Sequence, residues 1–415
     1  MKAQHILKVK ALKFPSPQNH PSLPEFIALT AMMMALVAFS IDAMLPALPL
    51  IADELTPDAP NQAQLVLGAF VLSLGVGTLF AGPLSDRFGR RPVLMLGIFV
   101  YGIGALLASN AHSLEALLAA RMLQGLGCAG PRVVTMAIVR DRYKGAQMAR
   151  IMSYAMIIFA LVPALAPMIG AQVSQAFGWR AVFLAFIAFS LMVLSWFALR
   201  QPETLKPENR RPVKVSALTA AAREIFAHPT TRLSMLAQIL ALGMLFSIIT
   251  SVQPIFDVTY GRAASFPYYF GAIAVLSTSA GFLNARLVER LGMRAMIRGM
   301  LSVQIGLSTL MIASTYLISD LDLSFAIFAV WTFSLFFQAG LTMGNLNALA
   351  LEPMGHIAGM AASIITSIAT LGSIAIAVPL GLAFDGTPRP LAMGVLVMAV
   401  IANLITGRIK RPGEF

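Results

Sequence analysis

Long apolar runs constrain this chain more than any other feature. Twelve stretches of about 20 mostly apolar residues follow one another with little between them, at roughly 26–51, 63–84, 92–110, 114–138, 151–173, 179–200, 232–257, 265–287, 294–317, 322–346, 359–383 and 390–408. Each is long enough to cross a bilayer as a helix. Several connections are so short that neighbouring spans must run antiparallel. The expected fold class is an all-α membrane protein with twelve transmembrane helices. Only 12% of the residues are charged, about half of what a soluble chain carries.

Lysine and arginine set the orientation. With the N-terminus inside, the inner segments hold 25 of the 30 basic residues and the outer segments hold Arg180, Arg262 and Arg389. Positive charge is retained on the cytoplasmic side, so both termini are expected there. The +12 net charge is thus distributed by topology, and nucleic acid is not an expected partner. The expected organisation is a cytoplasmic tail over 1–25 (Lys2, Lys8, Lys10, Lys13), a six-helix half over 26–200, a polar central loop over 201–231, a second half over 232–408 and a short tail over 409–415. Within the loop, Ser216–Ala227 is expected as a helix on the membrane surface.

The halves repeat. Leu84-Ser85-Asp86-Arg87-Phe88-Gly89-Arg90-Arg91 aligns with Leu287-Val288-Glu289-Arg290-Leu291-Gly292-Met293-Arg294 at a constant offset, each copy following the second span of its half. Two parallel, pseudo-symmetric halves with a site between them near mid-membrane are the expectation. The second copy is degenerate, with Ala285 for Gly82 and Met293 for Arg90. The first copy is the expected gating element, through Gly82, Asp86, Arg87, Gly89, Arg90 and Arg91, with Glu289 and Arg290 as its counterparts.

Ionisable groups inside spans are few. An ion there costs about 2.5–3.5 kcal/mol on insertion scales, so each needs a reason. Asp42 lies in the first span, ~12 Å from its outer end, and Arg121 in the fourth, ~10 Å from its outer end. Equal depth allows them to meet. Asp42 is the leading carboxylate for taking up and releasing a proton in the membrane; a structural acid is the other reading, and a structural role is open for Arg121 as well. Arg132 falls on the Arg121 face three turns on, with Cys128 on the same line and Gln124 beside it, which makes a polar stripe facing a substrate cavity. Arg132 is equally able to snorkel towards headgroups. Asn345 and Asn347 are candidate cavity polars or interhelical glue. Pro163, Pro167 and Gly170 are expected to break or kink the fifth span and to serve as a hinge or packing surface.

Other chemistry finds no support. The five histidines are scattered, Cys128 is the single cysteine, and no phosphate-binding glycine loop, zinc-protease helix or nucleophile elbow is present. No metal, cofactor or enzymatic activity is expected.

The motif G-x-L-x-D-R-x-G-R-R over Gly82–Arg91 resembles the signature of major facilitator superfamily transporters. Arg121-Met122-Leu123-Gln124-Gly125 resembles the R-x-x-Q-G motif of their proton-coupled members. Asp42-Ala43-Met44-Leu45-Pro46-Ala47-Leu48-Pro49, Val139-Arg140-Asp141-Arg142-Tyr143, Gly178-Trp179-Arg180, Gln201-Pro202-Glu203-Thr204-Leu205 and Asn347-Ala348-Leu349-Ala350-Leu351-Glu352-Pro353 resemble the bicyclomycin/chloramphenicol-resistance (Bcr/CflA) exporters, which carry Tyr where this chain has Met44. The resemblance implies the major facilitator fold and a drug:proton antiporter of the bacterial inner membrane, a monomer. It also implies roles for Asp42 and Arg121 in proton and substrate coupling, and for Asp86 with its loop arginines in stabilising the outward-open state. Small amphipathic drugs and protons are the expected partners besides the bilayer, with neutral, zwitterionic or weakly anionic substrates favoured by the two intramembrane arginines. A dedicated metabolite or siderophore transporter, by export or proton symport, and a non-transporting membrane sensor or enzyme remain as alternatives.

Overall fold

A computed structural model of the chain describes residues 17, 20–210 and 215–409. The expected N-terminal tail with its four lysines lies almost wholly outside these residues, as do 211–214 of the central loop and Lys410 and Arg411 of the C-terminal tail. The described residues form helices and no strand. Eleven helical stretches are long and apolar enough to cross a membrane, and one of them, Leu321–Leu382, is 62 residues long. It divides at the non-helical Met354, so the twelve expected spans are all present.

In order, the first half contains α1 (Leu23–Asp42), α2 (Leu48–Leu55), α3 (Leu65–Phe88), α4 (Arg90–Ser109), α5 (Leu114–Arg142), α6 (Gly145–Phe177) and α7 (Arg180–Arg200). After α8 (Val215–Ala227), the second half contains α9 (Pro229–Pro254), α10 (Phe266–Ser277), α11 (Ser279–Leu291), α12 (Met293–Leu317), α13 (Leu321–Leu351), α14 (Ala358–Leu382) and α15 (Arg389–Gly407). Each half packs mainly within itself. The halves meet along two seams, α3 against α14 and α6 against α10.

Two spans are broken, and sequence explains both breaks. A proline inside a helix clashes with the carbonyl four residues back. Pro46 therefore ends α1 at Asp42, and the span resumes through a short 3-10 turn, Leu45–Ala47, into α2. The expected continuous helix over 26–51 is corrected to two pieces. The eighth span breaks at Thr278, where Ser277, Thr278 and Ser279 each turn the hydroxyl back onto a carbonyl three residues earlier. Such back-bonding competes with the helical ladder and bends it.

α6, in contrast, runs unbroken through Pro163 and Pro167, which corrects the expected break. The helix expected in the central loop is present as α8. Ala221 and Ile225 of α8 are buried in a cluster with Met235, Ile364 and Ile365, so α8 packs on one end of the second half. His356 reaches Glu224 at 2.8 Å there. α7 is tied to the first span at both ends, Arg200 to Glu25 at 2.6 Å and Arg180 to Glu54 at 2.8 Å.

Candidate functional site

Pro46 places the Asp42 carboxyl at a helix break rather than on a helix face. The residue is 6% exposed, and it has no hydrogen bond or ion pair to any described residue. Arg121, fully buried, lies at the same depth as expected but does not pair with it. Its Nη2 donates to the Ser40 carbonyl at 3.0 Å, Nε to the Val66 carbonyl at 3.2 Å and Nη1 to Gln124 Oε1 at 2.5 Å. The guanidinium also sits 4.4 Å from the Phe70 ring centroid, a cation–π contact of about 1–2 kcal/mol when desolvated. Arg121 thus clasps α1, α3 and α5 together beside Asp42. Ser40 completes the clasp, its hydroxyl 2.6 Å from that of Tyr101 on α4.

The rest of the stripe is only partly satisfied. Cys128 is a buried free thiol. Gln124 Nε2 has no partner. Arg132 is half-buried and makes no hydrogen bond or ion pair with described residues. On the far side, Asn345 donates to Asn284 of α11 at 2.7 Å, an interhelical bond, and to the Leu341 carbonyl of its own helix at 2.9 Å. Asn347 is half-buried without such a partner. Gln238 and Gln338, on α9 and α13, each bury an unpartnered carbonyl oxygen; the sequence reading did not single them out.

Around Gly89 the basic loop becomes a closed network. Arg90 Nη1 reaches Asp86 at 2.5 Å and its Nε reaches Asp141 at 3.0 Å. Asp141 is available because α5 continues to Arg142, four residues past the apolar edge; basic residues suit a helix C-terminus. Arg91 donates to the carbonyls of Gln201 and Ala198 at 3.1 and 2.7 Å. The Glu203 carboxylate accepts the main-chain N–H groups of Arg90 and Arg91, each at 3.0 Å. A carboxylate there satisfies orphan donors at the α4 N-terminus and complements its dipole. Gly89 adopts φ 107°, and a Cβ on it would lie 2.5 Å from Glu203 Oε2, so only glycine fits. Arg87 is exposed over Phe88. Gly82 faces Ser363 of α14. Glu289 and Arg290 are exposed and form no ion pair with described residues.

The opposite end is held by other contacts. Asn61 Nδ2 donates to the carbonyls of Leu382 and Phe384 at 3.1 and 2.8 Å, across the two halves. Gly170 of α6 lies against the main chain of Ala43, where a Cβ would collide. Gly271 of α10 lies against the Ala164 carbonyl of α6 in the same way, at 2.7 Å from an added Cβ. Mid-seam, Ser367 donates to the Gly75 carbonyl at 2.7 Å. Past its break, α11 buries Ala280 alone and meets α13 through Ala280 and Asn284. The site therefore combines a lone buried carboxyl, a clasped arginine beside it, a charged network within the first half at one end, and the Asn61 bonds between the halves at the other.

The family model described as Major Facilitator Superfamily matches residues 30–407. The bicyclomycin resistance protein homolog of Haemophilus influenzae is 30% identical over 384 residues, covering 91% of this chain and 94% of that protein. Multidrug resistance protein D of Escherichia coli is 27% identical over 84% of this chain and 86% of its own length. Among solved structures, a D-xylose-proton symporter superposes with a TM-score of 0.72 at 14% identity, over 94% of this chain and 98% of that one.

Proposed function

Because the chain belongs to the major facilitator superfamily, we propose that it exports small amphipathic drugs in exchange for protons, by alternating access between its two halves. The relatives named for bicyclomycin and multidrug resistance support a drug as the substrate. The excess of basic residues near the Gly89 and Gly292 turns supports placing that end in the cytoplasm with both termini inside, and the bacterial relatives support the inner membrane; the proposed working unit is a monomer.

One observation carries the coupling: Asp42 is a buried carboxyl in a span with no counter-charge. An ion there is costly unless something compensates it. A proton does so, and so does a hydrogen-bond-donating or cationic group on a substrate. Competition between the two for one carboxyl is exchange. The Arg121 clasp fixes the main chain at Ser40 and so positions the carboxyl two residues on. Gln124, Cys128, Arg132 and Asn347 line the proposed path. The Arg90–Asp86–Asp141–Glu203 network is the first half's part of the cytoplasmic gate, and the Asn61 bonds close the outer end. The membrane potential supplies ~2.3 kcal/mol per charge per 100 mV.

The test is drug-triggered collapse of a pH gradient in everted vesicles over a chemically mixed panel, comparing wild type with Asp42→Asn. A subset of compounds active only with wild type is the expected result. Equal responses would remove Asp42 from coupling. No response from wild type would leave a narrow metabolite carrier as the better reading.

A further inference from the structure

We infer that the groove between α11, α12 and α13 binds an anionic phospholipid of the cytoplasmic leaflet, one acyl chain lying in the groove and the phosphate resting on Arg286 and Arg290. The leaflet named rests on the orientation proposed above; the site itself does not.

The groove has a volume of about 460 Å³ and is lined almost wholly by apolar side chains, among them Leu287, Leu291, Gly299, Val303, Phe333 and Phe337. It starts at the Gly292 turn and ends near Leu307. Twelve residues of α12 from Ala295 make it ~18 Å long. That is slightly more than half of the ~30 Å hydrocarbon core, the reach of one leaflet. The groove is open sideways, since Leu291 and Val303 are both more than half exposed. Its depth in the membrane and its apolar walls exclude water as a stable occupant.

The halves differ in how this space is used. In the first half, Gly97 lies against the Gly127 carbonyl, an added Cβ falling 2.7 Å from it, so α4 and α5 are in main-chain contact. In the second half the same offset places Met300 there, lining the groove together with Gly299, which has no described atom within 4 Å of an added Cβ. α11 meets α13 through Ala280 and Asn284, and beyond those contacts the space between the three helices is lined but not filled by protein.

Charge identifies the occupant. The two arginine-rich turns are related by sequence but not by bonding. Arg90 and Arg91 are fully used by Asp86, Asp141, Gln201 and Ala198. On the second turn, Arg294 and Arg298 point to α15, onto the Gly407 carbonyl and Asn403 Oδ1. Arg286 and Arg290 are exposed and have no hydrogen bond or ion pair among the described residues. Both sit on α11 beside Leu287 and Leu291, at the mouth of the groove. Glu289 is the one acid on that helix, so two guanidiniums outweigh it. Guanidinium binds phosphate bidentately, and long basic side chains at a span end reach headgroups while their stems stay apolar. A zwitterionic headgroup would leave net positive charge at the mouth; an anionic one neutralises it.

The experiment is native mass spectrometry of the full chain, delipidated in mild detergent and titrated with palmitoyl-oleoyl phosphatidylglycerol or phosphatidylcholine. Wild type should retain one phosphatidylglycerol in preference to phosphatidylcholine. Arg286→Gln with Arg290→Gln should weaken phosphatidylglycerol retention roughly 30-fold and abolish the preference. Val303→Trp, at the exposed edge, and Gly299→Phe, at the floor, should each reduce retention of both lipids. Arg150→Gln, an exposed arginine of α6 in the first half, should leave the retention of both lipids as in wild type. Equal retention of the two lipids by wild type, or retention unaffected by both groove-filling variants, overturns the site. So does a stable dimer whose formation alone is blocked by Val303→Trp, because the groove is then an interface between copies. Failure of the exporter reading would appear in the vesicle assay with lipid retention intact, so the two are separable.

Discussion

Arg121 donates to the main-chain oxygen of Ser40 at 3.0 Å, and the Asp42 carboxyl two residues later has no ionic partner. The arginine is thus attached to the segment that carries the acid, and acts on it through the backbone. This separates two effects that a direct ion pair would merge. Removing the acid changes what the site can ionise. Removing the arginine loosens where the acid is held.

Arg121→Met should leave the Ser40 carbonyl, at the end of α1, and Gln124 Oε1 without that donor, while Val66 keeps its helical bond, at about 1–3 kcal/mol for a buried group left unsatisfied. The purified protein should unfold at lower temperature. Asp42→Asn should not, since no partner is lost. A double-mutant cycle on stability should show Arg121→Met and Asp42→Asn additive within ~0.5 kcal/mol, whereas Arg121→Met and Gln124→Leu should couple. Strong coupling between Arg121 and Asp42 would instead point to a direct pair.

Glu203 serves the α4 N-terminus from more than one hundred residues away in sequence, accepting from Arg90 and Arg91 N–H at 3.0 Å. Glu203→Ala should lose about 1–3 kcal/mol, and Glu203→Gln less, because one carbonyl oxygen remains. Gly89→Ala should be as harmful as Glu203→Ala, by positive φ and by the Glu203 contact together. Thermal unfolding in detergent measures all three. An undisturbed Glu203→Ala protein would mean that the cap adds nothing to the stability of the network around Arg90.

Asn61 bonds two carbonyls at the end of α14 across the seam. Asn61→Ala removes both bonds in this closed arrangement and none in one where the halves have parted there. At about 0.5–1.5 kcal/mol per net bond, the balance should shift several-fold towards the parted state. Spin labels on the outer ends of α2 and α15 should report a larger population of long distances. An unchanged distance distribution would assign closure of that end to packing alone.

The twelve spans were legible because a bilayer demands about 20 apolar residues in each, and the basic turns were legible because charge is excluded from the spans. The breaks were harder to read. Pro46 forbids the helix at Asp42 by steric clash, yet hydropathy continues through it unchanged. At 277–279 the cause is three hydroxyls bonding backwards, and nothing in their apolar setting marks it. In the site, the depth match of Asp42 and Arg121 followed from the fixed helical rise. Their bonding did not, because Arg121 and Glu203 both act largely on main-chain atoms, which leave no mark in side-chain identity. The motifs around Asp141 and Glu203 were visible as resemblance, but only folding brings them onto Arg90.

Gly170 carries a last consequence of main-chain contact. It lies against Ala43, the residue after Asp42, so closely that any Cβ would strike the Ala43 carbonyl. Backbone cannot yield as a flexible side chain can, and overpacking of this kind costs about 1–3 kcal/mol. Gly170→Ala should therefore lower the unfolding temperature and displace the turn that presents the carboxyl, reducing drug-driven proton movement in everted vesicles. Gly306→Ala is the matched control: it is helical, has nothing within 4 Å of the added methyl, and should be neutral or gain up to ~1 kcal/mol from helix propensity. If the two variants behave alike in both assays, the α6–α1 contact does not set the position of Asp42, and the turn must be held by the Arg121 clasp alone.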